Sequence, residues 1–281
     1  MLQSIKSKNR LTKVLVYLGL LLGLCFAAFP VVWMFFCSIK SNTEIFLSPP
    51  KLLPKVLCLE AYKSIFSSPE KIRYFLNSYF ISLTVTVVTI ATAILAGYSF
   101  SRYDFKFKKQ LNLIIISTQT IPKITLLIPF FGLVVTLGLH NTYLALILTY
   151  MVFTLPYAIL MMTGYFNTLP KELDEAVTVD GGTNFYALWK ILVPISVPGI
   201  VATGVYTFIL SWNEFMFALT LTKTTNMRTV PVGIQQLMGQ HAYEWNEMMA
   251  MSLLGCLPIL ILYLIAQRYF LAGMSAGSVK S

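Results

Sequence analysis

An all-α, polytopic membrane protein is the fold class this sequence predicts, and three observations carry the prediction. The chain is oily, its apolar residues fall into six long runs, and its charges gather at the ends of those runs. Of 281 residues, 57% are hydrophobic and only 11% charged, whereas a soluble domain is roughly one-quarter charged. A bilayer core of roughly 30 Å takes about 20 apolar residues per helix. Runs near residues 12–36, 74–100, 110–137, 143–166, 196–221 and 248–270 meet that length. Six spans with modest loops leave no room for a separate soluble domain, so 1–281 reads as one transmembrane domain. The first run is too long for the roughly 7–15 residues of a signal-peptide core. The bulky Leu24 before Cys25 argues against lipoprotein processing, so this run is expected to remain as a span.

The net charge of +10 does not point to nucleic acid, because the basic residues sit at span ends. Lys6, Lys8, Arg10 and Lys13, with Arg102, Lys106, Lys108 and Lys109, fit the positive-inside rule. That rule places both termini and the polar stretch 168–194 in the cytoplasm. The outer segment 39–73 carries six basic residues, but a loop of this length weighs less in the rule. Its Ser48-Pro49-Pro50 and Leu53-Pro54 steps favour extended backbone, and 59–66 is expected to form a short surface helix. The four cysteines, Cys25, Cys37, Cys58 and Cys256, make no C-x-x-C pair and read as packing residues. With His140 and His241 as the two histidines, no metal site is expected. Pro122, Pro129, Pro156, Pro194, Pro198 and Pro258 punctuate the spans. Each removes a backbone donor and tends to kink its helix.

The stretch 168–194 is the one part of the chain suited to dock a soluble partner. Pro170 suits a first helical turn, and Glu172, Asp174 and Glu175 complement the positive end of the helix dipole. Leu173, Ala176 and Val177 recur at i, i+3 and i+4, which predicts a small apolar face. Gly181 or Gly182 can take the left-handed conformation that ends a helix. A second helical segment from Asn184 to Leu192 then carries Phe185, Tyr186, Leu188 and Trp189.

The order Glu175-Ala176-Val177, Asp180-Gly181-Gly182, Ile191 and Pro194 resembles the EAA loop of ABC-importer permeases. Val177 stands where that motif has its second alanine. Other stretches resemble the carbohydrate-importing branch: Ser211-Trp212-Asn213-Glu214-Phe215 in the fifth span and Tyr98-Ser99-Phe100-Ser101-Arg102-Tyr103 at the exit of the second. The segment Gln267-Arg268-Tyr269-Phe270-Leu271-Ala272-Gly273-Met274-Ser275 is similar to the tail of the smaller maltose-type subunit.

The resemblance implies a type I ABC-importer permease fold in a bacterial or archaeal cytoplasmic (inner) membrane. It implies two ATPase subunits, a second and different permease, an external solute-binding protein and a sugar or polyol as solute. Glu175, Ala176, Val177, Asp180, Gly181 and Gly182 map onto the ATPase-coupling motif. Gly273, Ser275, Gly277 and Lys280 fall in a flexible tail that approaches the ATPase in relatives. The chain has no G-x-x-x-x-G-K-[ST] phosphate loop, so ATP and Mg are expected on the partner ATPase and no enzyme activity here.

Polar residues inside a bilayer are functional candidates by default. Gln119 and Lys123 flank Pro122 in the third span, and Asn213 and Glu214 lie in the fifth, with Tyr150 and Trp212 as aromatic companions. Lys123 either meets a substrate oxygen or pairs with Glu214 and ties two helices together. An ion-coupled secondary carrier is the alternative reading. It needs titratable groups within the membrane, and Lys123 and Glu214 are its candidates.

Overall fold

The structure is a computed structural model. It describes the backbone of residues 2–238 and 244–277, and side chains within 12–238 and 244–269. Contacts group the chain into two compact units, Met1–Ser68 with Gln236–Leu254, and Pro69–Gln235 with Gly255–Ser281.

The first unit opens with α1 (Leu2–Ser38), whose apolar stretch from Thr12 is unburied until Cys37 and Ser38 at its end. A helix this apolar and this exposed requires lipid or protein around it. Then come α2 (Asn42–Ile45), capped by the Ser41 hydroxyl, and α3 (Glu60–Ser67), the expected short surface helix. Lys40 is buried, donates to the Lys51 carbonyl and lies 5.5 Å from the centroid of Trp33. One of the outer segment's basic residues therefore sits inside the unit, where loop charge counting does not apply. Asn42 ties the loop to the segment ahead of the last helix, donating to Glu244 at 2.7 Å and accepting from the Asn246 N–H at 3.0 Å.

The second unit contains α4 (Pro69–Arg102), α5 (Lys108–Thr118), α6 (Leu127–Thr136) and α7 (Tyr143–Asn167). After them come α8 (Glu172–Val179), α9 (Asn184–Ala187), α10 (Val193–Ile195), α11 (Val197–Trp212), α12 (Met216–Leu221) and α13 (Val230–Gln236). The last helix, α14 (Trp245–Gly277), contributes residues to both units. Its core is a packed trio of α4, α7 and α11. Small residues let these helices approach: a Cβ at Gly97 of α4 would stand 2.8 Å from the Met162 Cβ of α7. Buried Thr89 and Thr154 close a 3.1 Å hydrogen bond across the same pair.

Four helices are long and apolar enough to cross a membrane, and the total reaches six when two bent pairs each count as one span. Two expected spans are thereby corrected. The run 110–137 is broken between Thr118 and Lys123 and bends by 98°. Pro122 cannot donate to the carbonyl four residues back, and a 3₁₀ turn, Lys123–Leu126, restarts the chain. The run 196–221 is two helices separated at Asn213–Phe215, and a 77° bend at Ser196 precedes it, between Pro194 and Pro198. Pro156 and Pro258 stay inside continuous helices, so proline alone does not set the breaks. The expected flexible tail is helical as far as Gly277, which puts Gly273, Ser275 and Gly277 on the last turns of α14. Lys280 lies outside the described residues.

Candidate functional site

The stretch 168–194 folds as the sequence predicts, a helix, a glycine turn and a second helix. Glu172, Asp174 and Glu175 occupy the first turn of α8, and Pro170 stands just ahead of it rather than within it. The helix ends in a Schellman motif: Gly182 N–H donates to Val177 O at 2.8 Å and Gly181 N–H to Thr178 O at 3.1 Å. Gly181 takes the left-handed φ of +80°. Gly182 is required for another reason, since a Cβ there would fall 2.6 Å from Val177 Cγ1. The Thr183 hydroxyl accepts from the Tyr186 N–H at 3.2 Å and starts α9. A π-helical turn, Leu188–Leu192, follows. Such turns often mark functional positions in a helix.

Two devices fasten this loop to the spans. One is apolar: Leu188 and Leu192 are buried in a cluster with Ile94 and Tyr98 of α4 and Ile159, Met162 and Phe166 of α7. The other is ionic. Arg102, at the end of α4, donates through Nε to Asp174 Oδ2 at 2.8 Å, and the two side chains are only 6% and 14% exposed. Its remaining nitrogens donate to the carbonyls of Phe166 at 3.1 Å and Leu169 at 3.2 Å. The Tyr98 hydroxyl donates to the other Asp174 oxygen at 2.9 Å, and Asn184 Nδ2 to the Tyr103 hydroxyl at 2.8 Å. A guanidinium satisfying a carboxylate and two carbonyls at once is a rigid joint. In the sequence Arg102 reads as an inside-facing charge and Asp174 as a helix-start acid, and nothing local links two residues 72 positions apart.

The six expected coupling residues divide by exposure. Glu175, Ala176, Asp180 and Gly181 are exposed. Val177 is 6% exposed and seals the turn from within, and Gly182 packs on it. The apolar face foreseen from Leu173, Ala176 and Val177 thus turns inward, apart from Ala176. The outward apolar surface comes instead from Val179, Phe185, Tyr186 and Trp189, with Val179 87% and Phe185 66% exposed.

The substrate-path candidates scatter. Gln119 and Lys123 line a cavity of about 160 Å³ with Phe153 and Tyr157 of α7 and Tyr206 of α11. The Tyr157 and Tyr206 rings lie 3.9 Å apart, and Lys123 Nζ is 5.3 Å from the Phe153 centroid. A charge at mid-bilayer costs about 2.5–3.5 kcal/mol on insertion scales, and a cation–π contact returns only about 0.5–2 kcal/mol of that. The Lys123–Glu214 pair does not form. Glu214 instead caps α12, its oxygens accepting from Phe217 N–H at 2.9 Å and Ala218 N–H at 3.0 Å. Trp212 is a packing residue, buried between Tyr79 and Phe208 and donating to Gly255 O at 3.1 Å. Tyr150 is 2% exposed in the core and its hydroxyl finds no hydrogen-bond partner of good geometry. Asn213 is exposed at the end of α11. Among the described residues no cluster of His, Cys, Asp and Glu could hold a metal ion.

Apolar helices of this number, packed around α4, α7 and α11 and carrying a rigid, aromatic-edged loop between spans, define a multi-span membrane protein. The chain belongs to the family of binding-protein-dependent transport system inner membrane components, whose model matches residues 89–276. Among its relatives, the sulfoquinovosyl glycerol transport system permease protein SmoH of Agrobacterium fabrum is 35% identical over 252 residues, covering 90% of this chain and 88% of that protein. The trehalose/maltose transport system permease protein MalG of Thermococcus litoralis is 35% identical over 273 residues, 96% of this chain and 98% of that one. In fold, the chain matches a subunit of a bacterial ABC transporter that imports the acidic polysaccharide alginate. There the TM-score is 0.80 at 20% identity, over 94% of this chain and 98% of that one.

Proposed function

We propose that this chain forms half of the translocation pore of an ATP-driven, binding-protein-dependent sugar importer. It works beside a second, different permease subunit, two ATPase subunits and an external solute-binding protein. The observation that carries the reading is the loop: Glu175, Ala176, Asp180 and Gly181 stand exposed on a platform fixed to α4 and α7 by the Arg102–Asp174 pair. Partner closure pushes on that platform, and the platform has no compliant joint between itself and the spans. ATP and Mg bind the ATPase. Both chain termini and the loop face the cytoplasm, the side favoured by the basic residues at the span ends. The last turns of α14, from Gly273 on, approach the ATPase. The sugar class rests on relatives of about one-third identity that are named for sugars.

The test is a tagged purification of this chain from native membranes in mild detergent, with co-purifying proteins identified by mass spectrometry. A P-loop ATPase together with a second permease is the expected result. Recovery of the chain alone or as a homodimer across several detergents overturns the assignment.

A further inference from the structure

We infer that the solute carries an anionic group, and that Lys123 is the residue that selects it; this rests on the importer reading above. Three elements meet at the cavity beside the broken third span: the Thr118–Lys123 break, α7 and α11. At about 160 Å³ the cavity has room for a small polar ligand rather than a lone water. Its polar equipment is specific. The tilted pair Tyr157 and Tyr206 offers phenol oxygens and ring surface, and Gln119 offers an amide with both donor and acceptor. These groups suit hydroxyls and the apolar face of a sugar.

Lys123 does not fit a neutral sugar. None of the described residues lining the cavity is acidic, and Lys123 makes no ion pair among the described residues. The carboxylate that the sequence offered as its partner, Glu214, has both oxygens engaged by the first turn of α12. What Lys123 does have is the face of Phe153, which steadies an ammonium group but leaves its three donors unanswered. The Pro122 break puts Lys123 on a 3₁₀ turn at an interrupted helix, and non-helical backbone is accommodated in a membrane where it lines a cavity. Lys123 is an exposed cation beside sugar-binding groups, with no carboxylate among the described residues to pair with it. That makes it a site for a carboxylate, sulfate or phosphate on the sugar.

The experiment is ATP-dependent uptake by the complete transporter, with its binding protein, in vesicles of zwitterionic phosphatidylcholine. That lipid excludes an anionic headgroup as the source of the charge. The probes are a neutral glucose disaccharide and its counterparts ending in glucuronate, glucose 6-sulfate or glucose 6-phosphate. At least one anionic probe is expected to enter faster than the neutral one. Lys123→Met is expected to cut its uptake by about tenfold or more, the worth of one charge-assisted contact, while Lys123→Arg retains most of it. Uptake of the neutral probe alone overturns the proposal, as does unchanged anionic uptake by Lys123→Met. Should Lys123→Met fail to co-purify with the ATPase, the wild-type preference among probes still decides the matter. ATP-dependent uptake of no probe overturns this proposal, while the importer reading stands or falls on the purification above.

Discussion

The loop 168–194 and the broken third span are both helix–break–helix units, yet they are held in opposite ways. The loop's break is a closed Schellman turn, and its flanks are fixed by two buried leucines and a shielded ion pair. In the third span, α5 buries no residue and α6 only Val134, and Lys123 at its break lies against a ring rather than a carboxylate. The difference fits the roles proposed above. A loop proposed to pass on a push is finished within its own chain. A span proposed to meet a solute keeps an exposed surface and a lysine without an ion-pair partner among the described residues.

The sharpest way to break this contrast is Arg102→Met. It strands Asp174 in a shielded site, and removing one member of a buried pair costs about 3–5 kcal/mol. A large fall in the melting temperature of the purified chain is expected, together with loss of transport; a variant as stable as wild type would show the loop is not ionically anchored. Glu175→Lys comes next. The residue is exposed and the loop intact without it, so stability should move by no more than about 0.5 kcal/mol. Transport should nevertheless fall roughly tenfold, or about 1.4 kcal/mol, at normal membrane levels. Normal uptake by this variant would remove Glu175 from the coupling surface. Gly181→Val puts a β-branched residue at positive φ, at a cost of about 1–2 kcal/mol, and should give an intermediate loss readable in the same two assays. The smallest effect is a cycle of Lys123→Met and Glu214→Ala. Loss of the α12 cap should cost about 1 kcal/mol, and the two changes should add within about 0.5 kcal/mol. Strong coupling between them would restore the interhelical pair that the structure lacks.

How much of this the sequence disclosed depended on how local the cause was. The helix at 59–66, a left-handed glycine at 181 or 182 and four of the long apolar helices each follow from neighbouring residues. The structure has a helix at Glu60–Ser67, a positive φ at Gly181 and four unbroken apolar helices. The Arg102–Asp174 pair joins positions 72 apart, and each residue had an adequate local explanation, so nothing drew them together. The same limit hid the partners of Trp212 and Glu214, which are Gly255 and the first turn of α12. The bend at Gln119–Pro122 was visible as a proline and invisible as a 98° turn, because proline also sits in the unbroken α7.

The contact at Gly97 has a consequence for machinery. With no side chain between them, α4 and α7 meet backbone against side-chain root at the level of Met162, about one and a half turns from the Arg102 joint. Longer side chains would act there as springs, taking up the first part of any stroke by changing rotamer. Their absence removes that backlash, so a displacement of the loop reaches both helices at once and undiminished.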